Sequence, residues 1–384
     1  MFGLKASLLL SCLAFASLAP ARVIEERGVR VGAEIQPVTF KEIFRPPRDY
    51  TTPKTLYGRT AQLPDGSLLA TWENYSPEPP LVYFPIYRST DKGVSWTHIS
   101  NVTDTQNGWG LRYQPFIYVL PRKIGKLAKG TILVAGNSLP TDLGHTKIDI
   151  YASTDKAKSW KFVSSVATGG RGIPNNGETP IWEPFLMVYK DQLVCYYSDQ
   201  GDPAYAQKLV HKTSKDGVKW NKAVPDVRGK VYTERPGMTT VVQLPNKKWM
   251  MTYEYGGGPT PGTEWYPLYY RIADSPLKFD TAKDQILLSG DRVPNASPYL
   301  SWSPSGGKNG TLIVTALSEN GIFLNTQLGA ADAWVHYDVP QPGAYTRHAM
   351  VLDDPDWLHV ISAGYLGGDN WVTNSVFKLP NLPQ

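Results

Sequence analysis

Cysteine is almost missing from this chain: 384 residues contain two, Cys12 and Cys195. Met1 to Ala21 reads as a secretory signal, with Lys5 as the basic start, Leu8 to Ala16 as the apolar core and Ala19-Pro20-Ala21 as small residues for cleavage near Ala21. Its removal takes Cys12 away and leaves Cys195 alone, so no internal disulfide is expected even in an exported chain. Cys195 sits in Leu-Val-Cys-Tyr-Tyr, an apolar strand that suits a buried thiol better than a nucleophile. Beyond the signal no run is long and apolar enough to cross a membrane. The mature chain is therefore expected to be soluble and extracellular. Charge is also sparse: 39 Lys and Arg stand against 34 Asp and Glu, scattered along the chain, which excludes a nucleic-acid footprint. The six histidines are dispersed, with no His-Glu-X-X-His and no cysteine cluster, so neither a metal centre nor a cofactor is called for. An ion held only by carbonyls and water would leave no trace of this kind. No linker or charge run divides residues 22–384, which are expected to form one domain. Sustained helical apolar stripes are missing too, so helix should be scarce.

What is plentiful is glycine (34), proline (32), tyrosine (22) and tryptophan (12), the balance of many short strands, tight turns and an aromatic-lined cleft. Two stretches spell nearly the same octapeptide, Ser89-Thr-Asp-Lys-Gly-Val-Ser-Trp96 and Ser153-Thr-Asp-Lys-Ala-Lys-Ser-Trp160. A weaker copy is Thr213-Ser-Lys-Asp-Gly-Val-Lys-Trp220. Ser and Asp can bond nearby backbone N–H groups, Gly supplies φ > 0, and Trp anchors the turn in apolar surroundings. The pattern resembles the Asp box of sialidase-like β-propellers. A longer repeat sets the blade count. A polar residue, usually followed by Pro, precedes a strand, a turn and a second strand, at Arg59, Gln114, Glu183, Arg235, Ser297 and Arg347. Six such units predict an all-β, six-bladed propeller of four-stranded blades. The octapeptide turns would join the outer strands of the first three blades, and Ala273 to Phe279 would do so later. Val29 to Phe44 would close the ring against the C-terminal blade near Ser375 to Leu379, leaving no long exposed edge.

In such a ring the opening of each inner strand and the end of the second strand converge on one face. That face gathers Arg59, Gln114, Glu183, Arg235, Ser297 and Arg347 with Glu73, Asn137, Asp199, Glu254 and Glu319, and Tyr57, Tyr113, Trp182, Tyr255 and Tyr345 beside them. Aromatic faces for stacking and charged groups for hydroxyls are what sugar recognition needs. The octapeptide aspartates lie on the opposite face. Glycoside cleavage needs two carboxyl groups flanking one bond, roughly 5–5.5 Å apart for retention or about 6.5–9.5 Å apart for inversion. Glu183, in Ile-Trp-Glu-Pro-Phe, and Glu254, in Thr-Tyr-Glu-Tyr-Gly, lie in adjacent blades and make the best pair. Glu178, Glu234 and Glu73 are the rivals, Glu234 as a partner for Arg235. His145 and His348 are candidates to face the cleft, and Trp109 or Trp182 to floor or block it.

Tyr57-Gly-Arg-Thr60, Trp182-Glu-Pro-Phe185, Cys195-Tyr-Tyr-Ser-Asp-Gln200 with Gln207-Lys-Leu-Val210, and Thr252-Tyr-Glu-Tyr-Gly256 make the whole mature chain similar to the fungal secreted exo-1,5-α-L-arabinanases of glycoside hydrolase family 93. The resemblance implies release of arabinobiose from the non-reducing end of linear arabinan, a pectin side chain, with retention. By it, two glutamates, Glu183 and Glu254, are catalytic, with Glu183 assigned as acid/base and Glu254 as nucleophile. Tyr57, Arg59, Tyr113, Gln114, Trp182, Arg235, Tyr345 and Arg347 are expected to bind substrate, Tyr345 and Arg347 beside the nucleophile. Polysaccharide is the expected partner, with no nucleic acid or membrane, and the chain is expected to be a monomer. Asn74, Asn101, Asn295 and Asn309 stand in glycosylation sequons. Two other readings remain. In a sialidase, Arg59, Arg235 and Arg347 would grip a carboxylate and Tyr345 would attack, although Tyr57-Gly-Arg-Thr-Ala breaks the expected spacing. A non-catalytic sugar-binding propeller would need no aimed carboxyl pair.

Overall fold

The structure, a computed structural model, describes residues 34–259 and 266–380. The signal peptide at 1–21 and residues 29–33 of the closing strand lie outside them. Among the described residues there is no helix. After β1 (Val38–Phe44), blade one is β2 (Thr55–Gln62), β3 (Leu68–Asn74), β4 (Phe84–Ser89) and β5 (Thr97–Val102). Blade two is β6 (Leu111–Val119), β7 (Ile132–Ser138), β8 (Thr146–Ser153) and β9 (Lys161–Gly169). Blade three is β10 (Ile181–Tyr189), β11 (Gln192–Asp199), β12 (Lys208–Ser214) and β13 (Val224–Val227). Blade four is β14 (Arg235–Gln243), β15 (Trp249–Gly256), β16 (Leu268–Ala273) and β17 (Gln285–Ile286). Blade five is β18 (Tyr299–Ser303), β19 (Thr311–Thr315), β20 (Gly321–Asn325) and β21 (Val335–Asp338). Blade six takes β22 (His348–Val351), β23 (Trp357–Ser362), β24 (Val372–Lys378) and, as its outer strand, β1. The register Val38↔Val376 to Phe44↔Val372 joins the two ends of the described chain in one sheet. The first strands of successive blades pack against one another around the ring. Their inward side chains leave an apolar central cavity of ≈ 520 Å³, lined by Ile117, Val119, Met187, Val241, Leu300 and Val351 among others.

The octapeptides turn the outer strand pairs as their chemistry demands. In the first, Asp91 accepts Ser89 Oγ (2.8 Å), Ser95 N (2.9 Å) and Ser95 Oγ (2.5 Å), while Ser89 Oγ accepts Gly93 N (2.8 Å) at φ 98°. Asp155 and Asp216 repeat this in blades two and three. Trp160 Nε1 reaches back to Ser100 Oγ and Trp220 Nε1 to Ser164 Oγ, each at 3.0 Å on the outer strand of the preceding blade. The turns therefore also staple neighbouring blades. Asp91→Ala is expected to cost about 2 kcal/mol, from bonds to a charged acceptor. That would lower the melting midpoint by about 3 °C and leave turnover unchanged, because this turn lies on the face away from the cleft. A calorimetric scan beside a rate assay checks both.

A second regularity builds the cleft. Near the start of each inner strand a non-glycine residue lies in the left-handed region: Tyr57 (φ 56°), Gln114 (59°), Glu183 (61°), Met238 (57°), Ser297 (47°, with Ala296 before it at 59°) and Thr346 (54°). In the first four blades the pairing to strand two slips at that point. Such a bulge re-aims a side chain and frees an N–H from the ladder. The sequence-read openings match at Gln114, Glu183 and Ser297 and miss by one to three residues at Arg59, Arg235 and Arg347.

Candidate active site

The freed N–H groups are taken up across blade boundaries. Gln114 N donates to Glu73 Oε1 (2.8 Å), Glu183 N to Gln114 Oε1 (3.0 Å), Met238 N to Glu183 Oε2 (2.9 Å) and Ser297 N to Glu254 Oε2 (2.7 Å). Buried backbone donors need partners, and here the partners are the acid and amide groups of the cleft. Ser198 Oγ also donates to Glu183 Oε2 at 2.6 Å.

Glu183 and Glu254 come together as expected. A β-carbon placed on Gly237 would stand 3.5 Å from Glu254 Oε1 and 3.7 Å from Glu183 Oε2. Those two oxygens are thus no more than about 7.2 Å apart, close enough for the two carboxyl groups to flank one glycosidic bond. The same β-carbon would fall 2.7 Å from Gln207 Nε2, so a side chain at position 237 would push aside the amide that donates to Pro236 O. Both glutamates are half-buried. Burial, and then the Glu183 charge, push Glu254 up to about 8. Burial also raises Glu183, but the Ser198 hydroxyl, the Met238 N–H, Arg235 and Arg59 all pull it back toward the ionised form. Glu73 belongs to the same constellation: burial lifts it to about 7, against bonds from Tyr75 OH and Gln114 N, while Glu183 adds its repulsion. The sequence alone offers Glu73 as a rival to the Glu183–Glu254 pair.

Aromatic rings wall this group. Tyr57 meets Tyr345 edge-on at 6.2 Å, and Tyr113 lies 6.2 Å from Tyr75 and 6.5 Å from Trp182. Trp182 is mostly buried, its Nε1 held by Gln200 Oε1 at 2.9 Å. Arg59 lies over the Tyr57 ring (4.1 Å) and donates to the carbonyls of Gly58 and Thr346. Arg235 donates to Gln200, Gln207 and Asn176 and acts electrostatically on both Glu183 and Glu254. Ser198 and Gln207 lie in segments that carry the family resemblance, but the sequence assigns neither a role: Ser198 reaches Glu183 from the paired strand β11, and Gln207 bonds Pro236 O and Arg235 of the next blade. Trp109 stacks on His145 at 5.5 Å on loops leading into β6 and β8.

Several expectations need correction. Arg347 does not reach substrate or Glu254: it is fully buried, and its guanidinium donates to the carbonyls of Asn320, Gly321 and Gln341. Thr346 takes the bulge site, and the next side chain points the other way. His348 lines the central cavity rather than the cleft, neutral through burial, with Nδ1 accepting Thr60 N at 3.0 Å. Glu234 does not pair with Arg235; it accepts Tyr255 OH and Lys230 N. Glu178 stays in its loop near Arg171. Asn74 ends β3 with 3% of its surface exposed, too buried to carry a glycan on the folded chain, whereas Asn101, Asn295 and Asn309 are partly exposed. Cys195 is buried, and burial raises its thiol, which removes it as a nucleophile.

No protein-family model matches the chain, and no curated protein matches it. Solved structures do. A GH93 α-L-arabinofuranosidase of Fusarium graminearum in complex with arabinobiose is 52% identical, covering 89% of this chain and 98% of that one, with a TM-score of 0.88. An α-L-arabinanase of Penicillium chrysogenum complexed with arabinobiose is 49% identical, covering 90% and 99%, with a TM-score of 0.87. The NanB sialidase of Streptococcus pneumoniae aligns at 10% identity over 89% and 70%, with a TM-score of 0.58, a likeness of fold alone.

Proposed function

This chain belongs to the GH93 family of α-L-arabinofuranosidases, and we propose that it is a secreted, retaining exo-arabinanase releasing arabinobiose from the non-reducing end of linear α-1,5-L-arabinan. The observation that carries the reading is the Glu183–Glu254 pair across Gly237 in an aromatic-walled cleft. A non-catalytic sugar binder has no use for two half-buried carboxyl groups aimed at one point. The sialidase reading loses its arginine triad with the burial of Arg347. Export rests on Met1 to Ala21, and glycosylation on Asn101, Asn295 and Asn309.

The hydrogen bonds favour exchanging the roles expected from the resemblance. Two donors and two neighbouring arginines support Glu183 as the ionised group. Glu254, with one donor and a pKa near 8, keeps its proton at neutral pH. In the first step Glu183 attacks the anomeric carbon. The bond to the leaving arabinan oxygen breaks as Glu254 passes that oxygen its proton, giving a glycosyl ester on Glu183. Glu254, now a carboxylate, takes a proton from water, which attacks the same carbon and frees arabinobiose and ionised Glu183. Two displacements restore the starting configuration. Chromatography of a linear arabinan digest tests the reading: arabinobiose alone is expected from the first minutes onward. A ladder of oligomers would end the exo assignment, and turnover of a fluorogenic sialoside with an untouched arabinan would end the family of substrates.

A further inference from the structure

Glu73 and Glu254 occupy the same place in two blades. Glu73 pairs with Leu56 just before the slip between β2 and β3, and Glu254 pairs with Gly237 just before the slip between β14 and β15. Each accepts the freed N–H of the next blade, from Gln114 and Ser297 respectively. Their second oxygens differ. That of Glu254 faces the Gly237 gap toward Glu183, whereas Glu73 Oε2 accepts Tyr75 OH at 2.7 Å. Glu73 is 3% exposed, so both of its oxygens are committed to protein. Gln114, held by Glu73, turns its own Oε1 to Glu183 N (3.0 Å) and receives Asn137 Nδ2 (2.7 Å).

Resting on the function proposed above, we propose that Glu73 is a positioning residue for Glu183, acting through Gln114. The chain runs Tyr75 OH to Glu73, Gln114 N to Glu73, Glu183 N to Gln114. Glu183 stands at φ 61°, a conformation that persists in a non-glycine residue only when its surroundings hold it. Releasing Gln114 removes the one side-chain acceptor that Glu183 N has, and the carboxylate leaves the line of attack. Misplacement of about 1 Å costs on the order of 10²-fold in rate. The groups facing Glu73 are Tyr57 and Arg59 of β2, Tyr75, Tyr113 of β6, Glu183 of β10 and Tyr345; none of them replaces the bond to Gln114 N.

The test compares Glu73→Ala, Glu73→Gln, Gln114→Met and the Glu73→Ala/Gln114→Met double variant, each checked by thermal melting. Glu73→Ala is expected to lose about 10²-fold in kcat with KM within about threefold. Glu73→Gln, which keeps an acceptor for Gln114 N, should recover most of that loss. Gln114→Met keeps the N–H and loses the acceptor, so it should match Glu73→Ala and stand in for it should that variant not fold. The double variant should lose little more than either single, since both break one chain. Full kcat in Gln114→Met, or a Glu73→Gln variant as slow as Glu73→Ala, would overturn the proposal. So would a loss carried by KM. A crystal structure of Gln114→Met reads the same chain without turnover: Glu183 left in contact with Ser198 and Met238 N would overturn it even in an enzyme whose substrate proved not to be arabinan.

Discussion

Glu254→Ala is expected to cut kcat/KM on linear arabinan by about 10²–10⁴-fold, the usual contribution of a general acid. The loss should depend on the leaving group. A sugar alkoxide needs the proton of Glu254 as it departs, whereas an activated phenolate does not, so an aryl arabinobioside should form its glycosyl enzyme almost as fast as before. Breakdown then becomes slow, because no base activates water. Azide, needing no base, should accelerate that second step and give a glycosyl azide of the substrate's own configuration. The wild-type pH profile carries the same assignment. Glu254 works protonated, so kcat/KM should fall as pH rises through about 8. Glu183 works ionised, so activity should also fall as pH drops below the raised pKa of that group. The two carboxyl groups interact, and the limbs belong to the pair. Loss of the alkaline limb in Glu254→Ala, read on the aryl substrate, is the expected outcome; an unchanged limb would take the acid role away from Glu254.

The architecture was legible because its signals are local. Each octapeptide contains its own hydrogen bonds, and alternating strands flanked by Pro-Asp-Gly punctuation mark a blade without reference to the rest of the chain. The bulge sites were legible only where proline follows them, at Gln114-Pro115, Glu183-Pro184 and Ser297-Pro298. Proline has no N–H and suits a point where the ladder is interrupted. The same cue misled in blade four, where Arg235-Pro236 comes three residues before Met238, and was missing at Tyr57 and Thr346. Arg347 was misread for that reason: a shift of one residue in a strand turns a side chain to the other face. Glu73 carried a signal that could have been used. Thr71-Trp72-Glu73 and Thr252-Tyr253-Glu254 share the pattern Thr, aromatic, Glu at the same point of two blades, and the structure gives both glutamates the same backbone donor position. Their difference in duty depends on Tyr75 and on the gap at Gly237, neither of which a single strand reveals.

Glu183→Ala should have the larger effect, a loss on the order of 10⁴-fold or more, the scale reached when a covalent nucleophile is removed. Here no choice of leaving group helps, since the first bond-forming step is itself missing. An aryl arabinobioside should be as poor a substrate as arabinan, and rapid mixing should show no burst of phenol. Azide should again restore turnover, but by attacking from the side that Glu183 vacates. The single displacement that follows gives a glycosyl azide of inverted configuration, opposite to the product from Glu254→Ala. Ser198 and Met238 N, which hold the Glu183 carboxylate in the intact enzyme, remain in place and can receive the small anion. The paired experiment therefore assigns the roles without reference to any pKa. Inverted azide from Glu254→Ala with retained azide from Glu183→Ala would exchange them back, and no azide product from either variant, with turnover lost in both, would remove the covalent intermediate from the mechanism.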